Sequence, residues 1–215
     1  MQMTLGWVNP TAAPTTTVLL RHGDTQLSPE HRFSGLSDVP LSASGTRQAR
    51  AAADRLAAGA PIDAVVSSPL QRAVATAAIA AGELGLTASI DDDLRETDFG
   101  EWDGLTLAEI QQQWPAAAEV WRCDPEQAPP GGESFAATAD RVNQACDRLL
   151  RDHGGQTVLV VSHITPIKIL LCRALSVPLA TLYRLYLGSA CISEIQWHGR
   201  EFAAVHRVND TSHLP

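Results

Sequence analysis

No apolar stretch in this 215-residue sequence is longer than a β-strand needs, so nothing in it reads as a membrane span. The first residues lack the cationic start and long apolar run of a secretory signal, and secretion is not expected. Positive charge is also scarce. Sixteen Lys and Arg against 24 Asp and Glu leave a net charge of −8, which argues against a general nucleic-acid-binding surface. An acidic protein can still bind an anion through a local cluster of cations, so any convergence of Arg and His is the more telling. The four cysteines (Cys123, Cys146, Cys172, Cys191) are far apart and form no C-x-x-C pair. Cys146 and Cys172 fall among apolar residues of expected helices, where a thiol acts as a small hydrophobe. Reduced thiols and a cytoplasmic location are expected. Internal repeats and low-complexity tracts are missing as well. His31, His153, His198, His206 and His213 are too scattered to compose a metal site, and no metal or cofactor is expected.

An apolar fraction of 45% and a charged fraction of 19% are ordinary for a globular chain, and the length suits one domain. Residues 1–17, rich in Thr, Ala and Pro, show no periodicity and read as a linker or tail, with Trp7 the one residue there suited to dock onto the body. Beyond them, short β-branched runs alternate with helical patterns, the signature of an α/β fold. Strands are expected at 17–21, 64–67, 88–90 and 157–161, with two late ones near 191–197 and 203–208. Helices are expected from Ser42-Ala43-Ser44-Gly45 to Gly59, from Pro69 to about 84, at 134–153 and at 166–175, with one or two short ones between 106 and 122. The run 157–161 is continuously apolar, as in a parallel strand buried on both faces.

Open α/β sheets bind ligands where their strands end, because the following loops and helix N-termini open there. Three expected strands end in groups suited to phosphate. These are Arg21-His22-Gly23, then Ser67-Ser68-Pro69 with Arg72 one turn into the next helix, then Ser162-His163. Arg offers a planar fork to phosphate oxygens, and a helix N-terminus offers free N–H groups.

The residues also resemble a known family. Arg21-His22-Gly23-Asp24-Thr25 resembles the R-H-G-x-T signature of the histidine phosphatase (phosphoglycerate mutase-like) superfamily. Further blocks follow in the family's order: Phe33-Ser34-Gly35, Asp38-Val39-Pro40-Leu41-Ser42 with Gly45, Ser67-Ser68-Pro69-Leu70-Gln71-Arg72-Ala73 with Thr76, Leu94-Arg95-Glu96 with Phe99-Gly100-Glu101-Trp102-Asp103-Gly104, Pro130-Gly131-Gly132-Glu133-Ser134, and Val161-Ser162-His163. The resemblance implies a three-layer α/β/α domain over 18–215 with a mostly parallel central sheet, a phosphomonoesterase acting on a small-molecule phosphate ester, and no cofactor. It implies that His22 carries the phosphoryl group, that Arg21, Arg72 and His163 hold its oxygens, and that Glu96 serves the leaving group. Glu133 and Ser134 are read as turning a loop and capping a helix. Trp102, Trp114 and Trp121 are read as packing residues, with Trp102 near enough to the site to line its rim.

A narrower likeness, carried by Glu96-Thr97-Asp98-Phe99-Gly100, Ser162-His163-Ile164-Thr165-Pro166-Ile167-Lys168 and Leu182-Tyr183-Arg184-Leu185, is to the phosphatase half of the actinobacterial bifunctional ribonuclease H/acid phosphatase branch, similar to α-ribazole phosphatases. It implies α-ribazole 5′-phosphate as a candidate substrate and a covalent ribonuclease H domain in a longer chain. The sequence departs from the family at two places. Ser28 stands where many members carry Asn, leaving Thr25 and Ser28 as candidate substrate-binding residues, and Ile164-Thr165 stands where Gly-Gly is common. Two alternatives share the motifs: phosphoglycerate mutase-type phosphoryl transfer, for which 104–129 offers only Arg122 as a cation, and a non-catalytic phosphate-ester binding domain. The segment 104–132 is expected to shape the leaving-group pocket.

Overall fold

The computed structural model describes residues 13–199 and 202–215. Six strands form one sheet in the order β3-β2-β4-β1-β5-β6, where β1 is Thr15–Arg21, β2 Ala64–Ser67, β3 Ala88–Ile90, β4 Thr157–Ser162, β5 Ile192–His198 and β6 Phe202–Asp210. The first four run parallel, and β5 and β6 are antiparallel additions at one side. The expected α/β class and mostly parallel sheet are therefore observed.

β1 begins earlier than its sequence advertises. Thr15, Thr16 and Thr17 pair with Trp197, Gln196 and Ile195 of β5, so they belong to the sheet and not to the linker expected over 1–17. Their hydroxyls explain both the polar look and the burial. Thr15 Oγ1 donates to the His153 carbonyl at 3.4 Å, and Thr17 Oγ1 accepts from Trp197 Nε1 at 2.9 Å. The rest of the expected linker through 12, Trp7 included, lies outside the described residues.

Alternation along β1 sets the layers. Leu19 faces one way, into a cluster with Val142, Cys146 and Leu149 of α5 (Phe135–Asp152) and Ile167, Leu170 and Leu171 of α6 (Ile164–Ala174). Val18 and Leu20 face the other way, onto Ala52, Ala53 and Leu56 of α1 (Ala43–Ala57) and Ala73, Ala77 and Ala80 of α2 (Gln71–Leu84). Each fully buried Leu or Val contributes about 1.5–3 kcal/mol by leaving water, and the alanines let α1 and α2 lie close together on the sheet. The helices start where their caps predict. Ser42 Oγ accepts from Gly45 N at 3.0 Å, and Ser134 Oγ accepts from Ala137 N at 3.1 Å. α6 starts two residues before the expected Pro166, because a proline in the first turn loses only an N–H that has no helical partner there.

Two short helices, α3 (Leu107–Gln113) and α4 (Pro115–Trp121), pack a third cluster in which Phe99, Trp102, Trp121 and Phe135 meet Phe33 and Tyr183. This aromatic body sits beside the carboxyl ends of the strands. Among the described residues, no helix is long and apolar enough to cross a membrane.

Candidate active site

Sheet order brings the separate motifs together. β4 lies between β1 and β2, and its last residues are in register with theirs: Arg21 with Ser162, and Ser67 with Val161. The next residues, His22, Ser68 and His163, therefore emerge side by side. The pairing extends one step past the strands, with His22 N donating to Ser162 O at 3.0 Å and Ser68 N to Val161 O at 2.9 Å.

The two imidazoles are neighbours, with ring centroids 5.0 Å apart. His22 Nδ1 lies 2.7 Å from the carbonyl oxygen of Gly23. Only a donor satisfies that contact, so Nδ1 carries the proton and Nε2 keeps its lone pair. Burial pushes the His22 pKa well below the ordinary histidine range, and the positive charges of Arg21 and Arg72 push it the same way. His22 is thus a neutral imidazole at physiological pH with an unprotonated Nε2. His163 is depressed for the same first reason, burial, followed by the charges of His22, Arg72 and Arg21. Its Nε2 is 2.7 Å from Ser68 Oγ, which already accepts from Leu70 N at 3.3 Å. Where the Ser68 hydroxyl donates to His163 Nε2, the proton of the neutral ring sits on His163 Nδ1.

Three buried nitrogens in this cluster have no hydrogen-bond partner among the described residues: His163 Nδ1, Arg21 Nε and Arg72 Nε. Their guanidiniums are otherwise held. Arg21 Nη1 donates to Leu187 O at 2.8 Å, and Arg72 donates to the carbonyls of Ser34, Gly35 and Ser37 at 2.8–3.1 Å. Thr76 ties the His22–Gly23 turn to the Arg72 helix, donating to Arg72 O at 2.8 Å and accepting from Gly23 N at 3.3 Å. Gly23 and Gly45 are glycines because a Cβ on either would overlap the backbone of the other turn.

Glu96, 5% exposed, approaches from the loop after β3. One carboxylate oxygen accepts from Thr97 N at 2.8 Å and the other from Thr165 N at 3.3 Å. Thr165 stands where a Gly-Gly pair is common in the family, and it supplies its backbone N–H to the carboxylate while lining the pocket with Ile164.

Arg21, His22 and Glu96 open into a cavity of about 770 Å³, with Arg72 and His163 fully buried beneath it. Thr25 and Ser28 both line it, but their hydroxyls are engaged with each other and the turn. Ser28 Oγ accepts from Thr25 N at 2.9 Å, and the two oxygens are 3.3 Å apart. Several expectations need correction. The segment 104–132 contributes Trp121 alone to the wall, and most of the remainder comes from 21–34, 164–168, 182–189 and the end of the chain, with Gln48, Glu96, Phe99 and Phe135. Trp102 is fully buried in the aromatic cluster and does not reach the rim, because Trp121 stands in front of it with centroids 5.4 Å apart. Arg122 lines a separate groove with Gln111, Pro115 and Glu119. Glu133 does not merely turn its loop, since it pairs with Arg141 at 2.8 Å. Burial alone would raise the Glu133 pKa, but the hydrogen bonds and charge of Arg141 outweigh it and hold the carboxylate below its ordinary range.

Three pocket or site-supporting residues were not singled out from sequence. Arg141 of α5 donates to the carbonyls of Asp93, Arg95 and Glu96. Lys168 of α6 and the exposed Tyr186 line the cavity. Lys168 carries its own weak signal, being one turn beyond Thr165 on the face of α6 that follows the His163 motif. Among the described residues, no group of three or more His, Cys, Asp and Glu side chains is arranged to hold a metal ion.

Residues 17–211 match the family model of the histidine phosphatase superfamily (branch 1). A bifunctional protein of Mycobacterium tuberculosis is 47% identical over 97% of this chain, which spans 57% of that relative's length. An adenosylcobalamin/alpha-ribazole phosphatase of Escherichia coli is 31% identical over 89% of this chain and 94% of its own. The structure of a mycobacterial glucosyl-3-phosphoglycerate phosphatase in complex with inorganic phosphate superposes with a TM-score of 0.81 at 33% identity, over 93% of this chain and 99% of that one. The chain belongs to branch 1 of the histidine phosphatase superfamily.

Proposed function

We propose that the chain hydrolyses a small-molecule phosphate monoester through a phosphohistidine intermediate on His22. The observation that carries this reading is the hydrogen bond from His22 Nδ1 to Gly23 O, which leaves a neutral, lone-pair-bearing Nε2 among the unpartnered donors of Arg21, Arg72 and His163. Nε2 attacks phosphorus in line, forming the N–P bond as the ester P–O bond breaks. Arg21, Arg72 and His163 hold the phosphoryl oxygens and balance their charge. Glu96 gives a proton to the departing alkoxide, then takes one from the water that cleaves the N–P bond and releases inorganic phosphate.

Hydrolysis is favoured over phosphoglycerate mutase-type transfer because the one cation of the 104–129 segment, Arg122, faces a different groove. The test is release of inorganic phosphate from phenyl phosphate in the presence of a metal chelator, by the protein and by His22→Ala. The variant loses roughly 10³-fold or more in rate. Near-normal turnover by the variant, or none by the protein itself, defeats the proposal and favours a non-catalytic phosphate-ester binding domain.

The finer assignments are proposals of the same kind. α-Ribazole 5′-phosphate is a candidate ester, supported by the name of the Escherichia coli relative and by aromatic side chains such as Phe33 and Tyr183 in the pocket wall. Thr25 and Ser28 are candidate substrate contacts, supported by their place in the same wall. A covalent ribonuclease H domain is supported by the greater length and bifunctional name of the mycobacterial relative. A cytoplasmic location rests on the cysteine usage.

A further inference from the structure

The loop that leads into β5, residues 187–191, grips the Arg21-His22 turn at three points. Arg21 N donates to Cys191 O at 3.1 Å, and Ala190 N donates to His22 O at 3.1 Å. Arg21 Nη1 donates to Leu187 O at 2.8 Å, the one hydrogen bond that the guanidinium makes among the described residues. The direction of that guanidinium therefore depends on the Leu187 carbonyl. The carbonyl belongs to the Leu187–Gly188 peptide, and Gly188, having no Cβ, restrains the rotation of that peptide only weakly. Asn209 supplies the missing restraint. The C=O and N–H of a trans peptide point opposite ways, and Gly188 N donates to Asn209 Oδ1 at 2.7 Å. One peptide plane is thus held by Asn209 on one side and meets Arg21 on the other, and each hydrogen bond polarises its neighbour through it.

The build of β6 brings Asn209 to that place. Between the pairs Glu194↔Arg207 and Ile192↔Asp210 the register shifts, so two steps along β5 are matched by three along β6. A bulge of this kind re-aims a side chain. Asn209 takes a left-handed backbone with φ of 54°, which a short polar side chain tolerates and a bulky one does not. Its own N–H donates to Oγ of the buried Ser193 at 3.1 Å, so the backbone of the bulge is fixed as well. Four residues on, His213 braces the same loop, with Nε2 donating to Ala190 O at 3.0 Å.

We propose that Asn209 is a positioning residue for the anion site, setting through the Leu187–Gly188 peptide the direction in which Arg21 presents its guanidinium to a phosphate. The inference rests on the reading of Arg21 as a holder of phosphoryl oxygens and deepens it. A guanidinium acts on phosphate as a planar fork, so its aim matters as much as its charge.

The test measures the affinity for inorganic phosphate, by a phosphorus NMR titration that reaches millimolar constants, and kcat/KM for phenyl phosphate. Both are taken for the protein, Asn209→Gly, Asn209→Asp, Arg21→Met and the double variant Arg21→Met/Asn209→Gly. Glycine keeps the left-handed bulge and deletes only the acceptor, whereas Asp restores an acceptor on the same shape. Asn209→Gly weakens phosphate binding by about 10-fold, as for one misaimed charge-assisted contact, and Asn209→Asp retains most of the affinity. In the Arg21→Met background Asn209→Gly changes the affinity by less than about twofold, because the group it aims is gone. The same loss in both backgrounds overturns the proposal, as does a lower melting temperature with unchanged affinity, the mark of a merely structural residue. Failure of the protein to bind phosphate overturns it too. Hydrolysis is judged separately. If phenyl phosphate releases no phosphate while affinity shows the coupling of Asn209 to Arg21, the hydrolase reading fails and the positioning role stands.

Discussion

The Arg141 guanidinium donates to the carbonyl oxygen of Glu96 at 3.0 Å, fixing the proposed proton donor's backbone to a helix that begins 39 residues later, at Phe135. The same guanidinium donates to Asp93 O and Arg95 O at 2.7 Å and is gripped by both carboxylate oxygens of Glu133 at 2.8 Å. Glu133 Oε2 in turn accepts from Asp98 N at 3.4 Å. One buried ion pair thus holds the backbone on both sides of Glu96.

That clamp separates two consequences. Arg141→Met leaves three carbonyls and a largely buried carboxylate without their donor, and destabilises the fold by about 3–5 kcal/mol. Thermal or denaturant unfolding checks this. Arg141→Lys keeps the charge but cannot span the same acceptors, so the Glu96 loop shifts. The expected result is a kcat lower by about 10- to 100-fold with KM for phenyl phosphate little changed, as for misplacement of a reacting group. A purely structural residue would lower the melting temperature without that split.

Thr76 offers a finer probe of the nucleophile turn. Thr76→Val keeps the shape and removes the hydroxyl that accepts from Gly23 N. A buried N–H without an acceptor costs about 1–3 kcal/mol. Because Gly23 O orients His22, activity falls with stability, and the two losses are read from urea unfolding and from phenyl phosphate turnover. Unchanged stability would show that this bond contributes nothing.

The buried imidazoles give a pH dependence with a definite sign. His22 and His163 have folded-state pKa values well below the ordinary 6.5, so the unfolded chain binds their protons first as the pH falls. Stability is full above the unfolded value and is lost progressively as the pH drops below 6.5 toward the depressed folded values. His163→Gln removes one of the two groups, and its stability falls less steeply between pH 6.5 and about pH 5. Equal slopes would contradict neutral burial. For the same reason His22, the proposed nucleophile, stays unprotonated below pH 6.5, and turnover is expected to extend into the acid range.

Much of this was legible in the sequence, and the exceptions have physical causes. The apolar run of β4, the Gly and Ser boundaries of α1 and the spacing of Ser67-Ser68 to Arg72 encode local structure, and local structure plus a parallel sheet is enough to bring His22, Arg72 and His163 to one edge. The run of threonines misled because the hydroxyls of Thr15 and Thr17 are satisfied by His153, Gly155 and Trp197, partners more than 130 residues away. Arg141 looked like one more polar residue on an amphipathic helix, since nothing local reveals that its acceptors lie 45 to 48 residues upstream. Trp102 and Trp121 exchanged roles because which indole reaches the cavity depends on how α4 packs, not on distance from the motif.

The central claim is that phosphorus passes through His22, and trapping it there is the most direct test. An aryl phosphate needs little help from an acid as its phenolate departs, whereas hydrolysis of the intermediate still needs a base. Glu96→Gln mixed with para-nitrophenyl phosphate should therefore release a stoichiometric burst of nitrophenol and stall as phosphoenzyme. Quenched in base, where phosphohistidine survives, and digested for mass spectrometry, the protein is predicted to carry one phosphoryl group on His22. Burst-free turnover with His22 unmodified, or a phosphoryl group trapped on another residue, would contradict the account.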